Sequence, residues 1–475
     1  MGSGGATSGD ASDASSDGAK VDGAYGPDAT AADASVDISV EMDTQSDWLD
    51  NANAQRDSDW PDNADTGVNC KNLQCFQNNC KLAGCKVQPC PDGGTTSVSG
   101  VVFDPAGVNP LYNVIVYVPN TTLEDIPTGA TCDACGKVSR EPVTSALTNS
   151  KGEFKLEHVP VTDNVPIVIQ VGKWRRQFAI PMPMNCADTR LEDRNQTRLP
   201  RDQTEGHLPR IALTTGRDDA LECLLRKVGI SESEMTPETG AGRINFYVGA
   251  GGTPRYKSTM NGGAAFTPAT AFWSSADALN GYDIVLLSCE GAERPTNKSM
   301  LARAAMQDYT SAGGRVFASH WHNYWLEFGP APFSTVAVFE HQADLPNPFT
   351  AAIDMTFHKV LALAEWLVHV GSMAPLGMLI IRGGKHTVNR QNDGVSQRWV
   401  YSTSPVSTQY FSFNTPVGVP EDKQCGRIVF SDIHASNPAR TPRHRRQPIP
   451  TGATRRPFPT RKRHWSSCSL TSPHV

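Results

Sequence analysis

The rhythm of apolar and polar positions changes three times along this chain. Residues 1–66 have no rhythm at all, only Gly, Ala, Ser and Asp with few aliphatics. Such a stretch cannot bury enough apolar surface to offset chain entropy and is expected to be disordered. From 97 to 181 the pattern is short and alternating. Ser97-Val98-Ser99-Gly100-Val101-Val102-Phe103 runs into the turn Asp104-Pro105-Ala106-Gly107, and Asn113-Val114-Ile115-Val116-Tyr117-Val118 stops at Pro119. Thr144–Thr148, Glu153–Leu156 and Pro166–Val171 repeat the theme, with Asn149-Ser150-Lys151-Gly152 as a further turn. Short strands with turn signals about every ten residues predict a small β-sandwich over 95–186. Gly172-Lys173-Trp174-Arg175-Arg176 then reads as a solvated turn.

The third rhythm alternates buried strands with amphipathic helices. Arg243–Val248, Asp283–Ser288 and Arg315–Ser319 are strand-like, and Ser299–Ala312 and about Phe357–Val370 are helix-like. Arg398–Ser402, Gln409–Phe413 and Arg427–Ser431 add later strands. This order predicts an α/β domain over 241–436 with a mostly parallel sheet and ligands at the carboxyl ends of its strands. The fold class expected is therefore β plus α/β, with disordered tails. Residues 187–240 read as a linker holding one helix, Ala220–Val228, capped by Asp218 or Asp219 and ended by Gly229, with Cys223 as an inert core thiol.

Cysteine usage changes this picture most. Cys70, Cys75, Cys80, Cys85 and Cys90 form a ladder of constant spacing within the segment 67–94. A spacing of five suits neither strand nor helix, so cross-linked short turns are expected. Five is odd, and one rung needs a partner elsewhere. With Cys132, Cys135 and Cys186, four disulfides are possible, their connectivity open. A zinc knuckle at Cys132/Cys135 is the rival, without a matching second pair. Dense paired thiols imply an oxidising, extracytoplasmic compartment. The N-terminus has neither a basic region nor an apolar core. An export signal or lipid anchor upstream of this start is therefore expected, leaving residues 1–66 as a spacer.

Charge is segregated. Residues 1–66 hold fifteen acids against two bases, and 435–475 hold nine bases and no acid. The total is −6, so the body is nearly neutral. The tail 437–475 loses all periodicity, as expected of disorder or an out-of-frame stretch, and nucleic-acid binding is not favoured. No apolar run is long enough for a transmembrane helix.

Gly100-Val101-Val102-Phe103-Asp104, Pro110–Val116 and Thr148–Phe154 resemble the carboxypeptidase regulatory-like domain, a small transthyretin-like sandwich. The resemblance covers about 80 residues and implies a non-catalytic accessory module of exported and surface proteins. Residues 128–140, with Cys132 and Cys135, depart from the pattern as a disulfide-pinned loop. Tyr282–Leu287, Ala312–Phe317 and Gly426–Phe430, with His434, resemble the class I glutamine-amidotransferase-like fold in its trehalose-utilisation-like branch, over about 190 residues. That family carries a cysteine in a Gly-x-Cys-x-Gly turn. Here the turn is Ala318-Ser319-His320-Trp321-His322, without cysteine or glycine, so the amidase role does not transfer. The pairing of the two modules resembles predicted exported proteins of large-genome, myxobacteria-like soil bacteria.

Three strand ends carry candidate chemistry: Cys289-Glu290, Ser319-His320-Trp321-His322 and Asp432-Ile433-His434. His320 and His322 share a face if extended, and Asp432 and His434 repeat the spacing, a set suited to zinc or a similar ion. A nucleophilic version uses Ser319 or Cys289, with His434 as base and Asp432 or Glu290 as orienter. Gly249-Ala250-Gly251-Gly252 reads as a plain turn. Trp321, Tyr324, Trp325 and Phe328 read as core, with sugar stacking as the rival. The function expected is non-catalytic binding of carbohydrate or cell-envelope polymer. The alternative is a metal-dependent or Ser/Cys hydrolase of amide or glycosidic bonds.

Overall fold

Apolar side chains from strands of the first structured region, among them Val98, Val116, Phe154, Leu156, Ile167 and Ile169, gather in one buried cluster. The computed structural model describes residues 90–132, 142–372 and 374–434. The acidic arm, the ladder rungs Cys70–Cys85, Cys135 and the basic tail lie outside the described residues. The first seven strands are β1 (Ser97–Val101), β2 (Ile115–Val118), β3 (Thr144–Leu147), β4 (Glu153–Leu156), β5 (Val165–Val171), β6 (Trp174–Ile180) and β7 (Asp188–Leu191). They form a three-stranded sheet, β4-β1-β7, and a four-stranded sheet, β3-β2-β5-β6. Val98, Phe154 and Leu156 from one sheet meet Val116, Val118, Ile167 and Ile169 from the other. Each such side chain contributes roughly 1.5–3 kcal/mol on burial, enough to hold two short sheets face to face.

The next twelve strands build the second region. They are β8 (Ile211–Thr215), β9 (Ile244–Val248), β10 (Thr267–Pro268), β11 (Ile284–Leu287), β12 (Arg315–Ser319), β13 (Ala337–Phe339), β14 (Phe349–Ile353), β15 (Met378–Ile381), β16 (Val388–Gln391), β17 (Gln397–Thr403), β18 (Val406–Thr415) and β19 (Gly426–Ser431). Ten of them form one sheet ordered β10-β9-β8-β11-β12-β19-β18-β17-β14-β15, and β13 pairs with β16. From β10 to β19 every pairing is parallel. From β19 to β15 every pairing is antiparallel. The expected mostly parallel sheet is thus half parallel, extended by an antiparallel wing.

Helices cover the parallel half: α1 (Leu221–Lys227), α2 (Ala269–Trp273), α3 (Ala276–Asn280), α4 (Met300–Ser311) and the single turn α5 (Tyr324–Glu327), with α6 (His358–His369) further along. Ser299 caps α4, its hydroxyl accepting from the Ala302 N–H. Along β11, Val285 and Leu287 pack with Ala302, Met306 and Tyr309 of α4. Ile284 and Leu286 face Leu221 and Leu225 of α1 on the other side. A strand buried on both faces reads as a continuous apolar run, which is why it was legible.

Residues 187–240, read as a linker, are structural. β7 closes the smaller sandwich sheet, and β8, buried at all five positions, lies in the middle of the parallel strands. The two regions are also closely joined. Lys173, expected in a solvated turn, donates to Gly129 O at 2.7 Å and pairs with buried Asp283 at 2.8 Å. Trp366 Nε1 donates to Pro110 O at 2.8 Å. Cys132 is bonded to Cys425, which removes it from any zinc knuckle. Cys90 takes Cys186 as its partner, and Cys223 is also disulfide-bonded rather than a free core thiol. Among the described residues no helix is long and apolar enough to cross a membrane.

Candidate functional site

The chain leaves β8 to build β9 and β10 on one side, then returns to build β11, β12 and β19 on the other. The reversal makes a topological switch point between the carboxyl ends of β8 and β11, where open α/β sheets form their crevices. The two ends approach closely. A Cβ at Gly216 would stand 2.3 Å from Cys289 O and 2.5 Å from Ser288 O, so glycine is required there. β12 ends beside them. His320 follows it at φ 32°, a left-handed conformation rare for a side-chain-bearing residue. The chain then turns at once into a 3-10 segment, His320–Asn323, and α5. A residue held in this way on a strand-to-helix turn carries backbone strain on the order of 1 kcal/mol and is thrust into the crevice.

His320 Nδ1 lies 3.6 Å from Cys289 Sγ, and the His320 and His434 rings are 5.2 Å apart. One ligand atom from each of Cys289, His320 and His434 falls within 4.8 Å of the other two. Cys289 is fully buried and is the free cysteine among the described residues. His320 is 3 % exposed. His434 Nε2 is buried without a hydrogen-bond partner among the described residues. Burial pushes the Cys289 thiol up to about 12, with the charges of Asp219 and Asp218 adding to the effect. Burial, followed by the neighbouring His434, pushes His320 down to about 2. Burial lowers His434 as well. Two neutral imidazoles and a thiol that resists ionisation are a poor nucleophile–base pair, because a thiolate–imidazolium would place both charges where charge is disfavoured. They are a good donor set for a soft or borderline dication, which favours neutral imidazole and displaces the thiol proton.

The other candidates go elsewhere. His322 does not join His320. Its Nδ1 accepts from Trp325 Nε1 at 3.0 Å and its Nε2 lies 2.8 Å from Ser288 O, so both ring nitrogens are engaged in the core. The alternation that would align the two rings ends where the chain turns at His320. Asp432 is separated from His434 in the same way. Its carboxylate accepts from the Thr387 N–H at 2.8 Å and the Thr387 hydroxyl at 2.5 Å, holding the segment ahead of β16. Burial raises it to about 6. Glu290 accepts from Lys298 Nζ at 2.5 Å and from the Ala250 N–H at 2.7 Å. Burial opposes its charge, but His322 and Lys298 hold its carboxyl below the usual range. It is a structural anion, not a free base. The Ser319 hydroxyl donates to Asp219, so it is tethered away from either histidine. Trp325 is core, as expected, while Trp321, also expected in the core, is half-buried and lies against His320 with ring centroids 4.5 Å apart.

Asp219, expected as an alternative to Asp218 to cap α1, does not: Ala220 holds the cap position without a side-chain cap bond, and Asp219 accepts from Ser319 instead. Lys298 has no counterpart among the sequence expectations. Lys298 is completely buried beneath Trp273 and Trp325, at 5.7 and 6.0 Å from their rings. No local pattern marks a lysine for such a place.

The five strands β9-β8-β11-β12-β19 follow the flavodoxin-like order of doubly wound α/β proteins, with the candidate centre beside the switch point. No protein-family model matches the chain, and no curated protein matches it. Solved structures similar to it include a ThuA-like protein from Bacteroides uniformis, 8% identical at a TM-score of 0.27, covering 47% of this chain and 82% of that one. A cytoplasmic protein from Salmonella typhimurium is 13% identical at a TM-score of 0.27, covering 47% and 87%.

Proposed function

We propose that this chain is an extracytoplasmic metalloprotein whose α/β region carries a three-ligand centre made by Cys289, His320 and His434. In this reading the sandwich is an accessory module of the carboxypeptidase regulatory-like kind. The α/β region is an amidotransferase-like domain, of the trehalose-utilisation-like branch, that has exchanged a nucleophile for a metal site. The observation that carries the proposal is the convergence of one thiol and two neutral imidazoles from three strand ends within 4.8 Å. The orphaned Nε2 of His434 fits a bound zinc-class ion better than it fits an empty polar pocket, and such an ion would displace the Cys289 thiol proton.

Three protein ligands leave one position for water, and an ion so held supplies an activated water and a Lewis acid. The reaction class that follows is hydrolysis of an amide or glycosidic bond. The chain's own residues have defined parts. Cys289, His320 and His434 would hold the ion, Trp321 walls the crevice against His320, and the Ser319–Asp219 bond fixes the turn that presents His320. The disulfides support an oxidising, extracytoplasmic setting.

A second reading is binding of carbohydrate or envelope polymer without turnover. Tyr324 and Phe328 favour it. Their rings lie 4.6 Å apart and Phe328 is 45% exposed, as a sugar-stacking platform requires.

The test is metal analysis of the purified full chain beside Cys289→Ser and His320→Ala. One equivalent of zinc in the parent, lost in both variants, is expected. Equal zinc in all three, or none in any, removes the centre. Turnover of chromogenic amides and glycosides by the parent, absent in His320→Ala, separates the hydrolase from the binding protein.

A further inference from the structure

A cleft of about 710 Å3 lies toward the end of β19 away from His434. Its floor is one face of the neighbouring strands β17, β18 and β19. Gln397 of β17 stands opposite Ser412 of β18, and Asn414 of β18 stands opposite Arg427 of β19. Paired residues, and residues two apart on one strand, point to the same side of a sheet, so these side chains share the floor. The turn at Val395 and Ser396 makes one wall, and the β18–β19 connection makes the other. Neither wall is loose. Ser396 Oγ donates to Val336 O at 2.7 Å, Gln424 Nε2 donates to Val419 O at 3.0 Å, and the adjoining Cys425 is disulfide-bonded to Cys132. A concave volume of this order on a fixed frame is that of a small-molecule site.

Ser412 is the observation that points to an occupant. It lines the cleft and is 1% exposed. Its Oγ accepts from Trp399 Nε1 at 2.8 Å and from Arg427 Nη2 at 2.7 Å. Both acceptor positions are thereby filled, and the hydroxyl proton has no acceptor among the described residues. A buried donor left unpaired is costly. Around it the cleft offers mainly acceptors. Gln397 and Gln424 commit their Nε2 groups to Arg398 O and Val419 O, which leaves each side-chain carbonyl to accept. Glu421 adds a carboxylate at the rim. The Asn414 side chain makes no hydrogen bond among the described residues and can both give and accept.

An occupant must therefore accept one proton from Ser412 and give several in return. A fully ionised anion has no proton to give to the carbonyl and carboxylate oxygens. An ammonium group has no lone pair for Ser412. Hydroxyl groups do both at once. Val395, Val417 and Val419 place aliphatic surface beside the polar floor, a match for a ring with hydroxyl edges and a C–H face.

We propose that this cleft is a binding site for a neutral saccharide, with Ser412 donating to one ring hydroxyl and Gln397, Asn414, Glu421 and Gln424 accepting from others. It shares a ligand class with the binding reading above but none of its residues, and it uses none of the thiol–imidazole centre. The competing arrangement is a cleft filled by water alone.

The test is calorimetric titration of the full chain with maltotriose, cellotriose and tri-N-acetylchitotriose, all neutral, with inorganic phosphate as the contrasting probe. Binding of at least one trisaccharide, one per chain, is expected, with no displacement by phosphate. Asn414→Ala and Glu421→Ala remove groups that make no side-chain bond within the described protein, and each should weaken that binding by about 10-fold. Binding of none of the three at millimolar concentration, binding that both substitutions leave intact, or binding lost in Phe328→Ala instead, would overturn the site.

Discussion

Cys132 and Cys425 are joined by a disulfide across 293 positions, tying the loop after β2 to the residue just ahead of β19. The bond links the sandwich region to the strand whose far end carries His434. Closing so long a loop restricts the unfolded chain strongly. Replacing both cysteines by serine should therefore lower stability by about 2–4 kcal/mol. Urea denaturation of the double variant against the parent measures it, and coincident transitions would contradict it.

The two histidines of the His320-Trp321-His322 turn should behave oppositely. His322→Leu removes two buried hydrogen bonds, to Trp325 and Ser288, and should cost about 2–4 kcal/mol while leaving bound metal in place. His320→Ala should abolish the metal at a smaller cost in stability, since the His320 ring makes a weak 3.6 Å contact to Cys289 Sγ rather than two buried hydrogen bonds, while alanine keeps the Cβ and so leaves the positive-φ strain unchanged. Metal content and melting temperature, measured on both variants, must dissociate in this way. If His322→Leu also loses the metal from a folded protein, His322 has been misplaced outside the site.

Glu290 and Lys298 form an ion pair with both partners essentially out of solvent. Removing one partner strands the other charge. Lys298→Met alone should cost about 3–5 kcal/mol, and adding Glu290→Leu should recover most of that loss. Denaturant midpoints of the two single variants and the double variant close the cycle. A double variant that is the sum of the singles would mean the pair does not act as a unit.

Glu222, 6% exposed at the start of α1, has a carboxyl oxygen without a partner among the described residues. Burial first, and then the charge of Asp219, raise its pKa from 4.5 to about 7. The folded chain thus prefers the protonated form. The contribution of this group is complete below pH 4.5 and drains as pH rises through 7. Glu222→Gln should then be stabilising above pH 7 by on the order of 3 kcal/mol and neutral at pH 4. Melting temperatures across that range give the answer, and a pH-independent difference would refute it.

Periodicity found elements well where burial is uniform. β11 and β12 stand where their apolar runs place them, and α4 begins at its serine cap. It failed at β8, an apolar run set among linker-like neighbours, and at the antiparallel wing, where strand direction leaves no local signature. At the site, Cys289, His320 and His434 were all singled out from the sequence, His320 with His434 in the metal set and Cys289 with His434 in the nucleophilic one, whereas His322 and Asp432 of the metal set are engaged elsewhere. The i, i+2 rule puts His320 beside His322 and Asp432 beside His434 only while the backbone stays extended, and it does not.

Local sequence determined the strand and helix inventory, the oxidative chemistry of the cysteines and the presence of polar groups at three strand ends, because these depend on neighbours within a few residues. The tertiary structure alone decided which of those groups meet. Cys289 reaches His320 and His434 because strands distant in the chain lie side by side in the sheet, and the left-handed turn at His320 sends one ring to the crevice and the other into the core. Strand order and a single backbone torsion are set by the packing of the whole sheet, and no window of sequence contains that information.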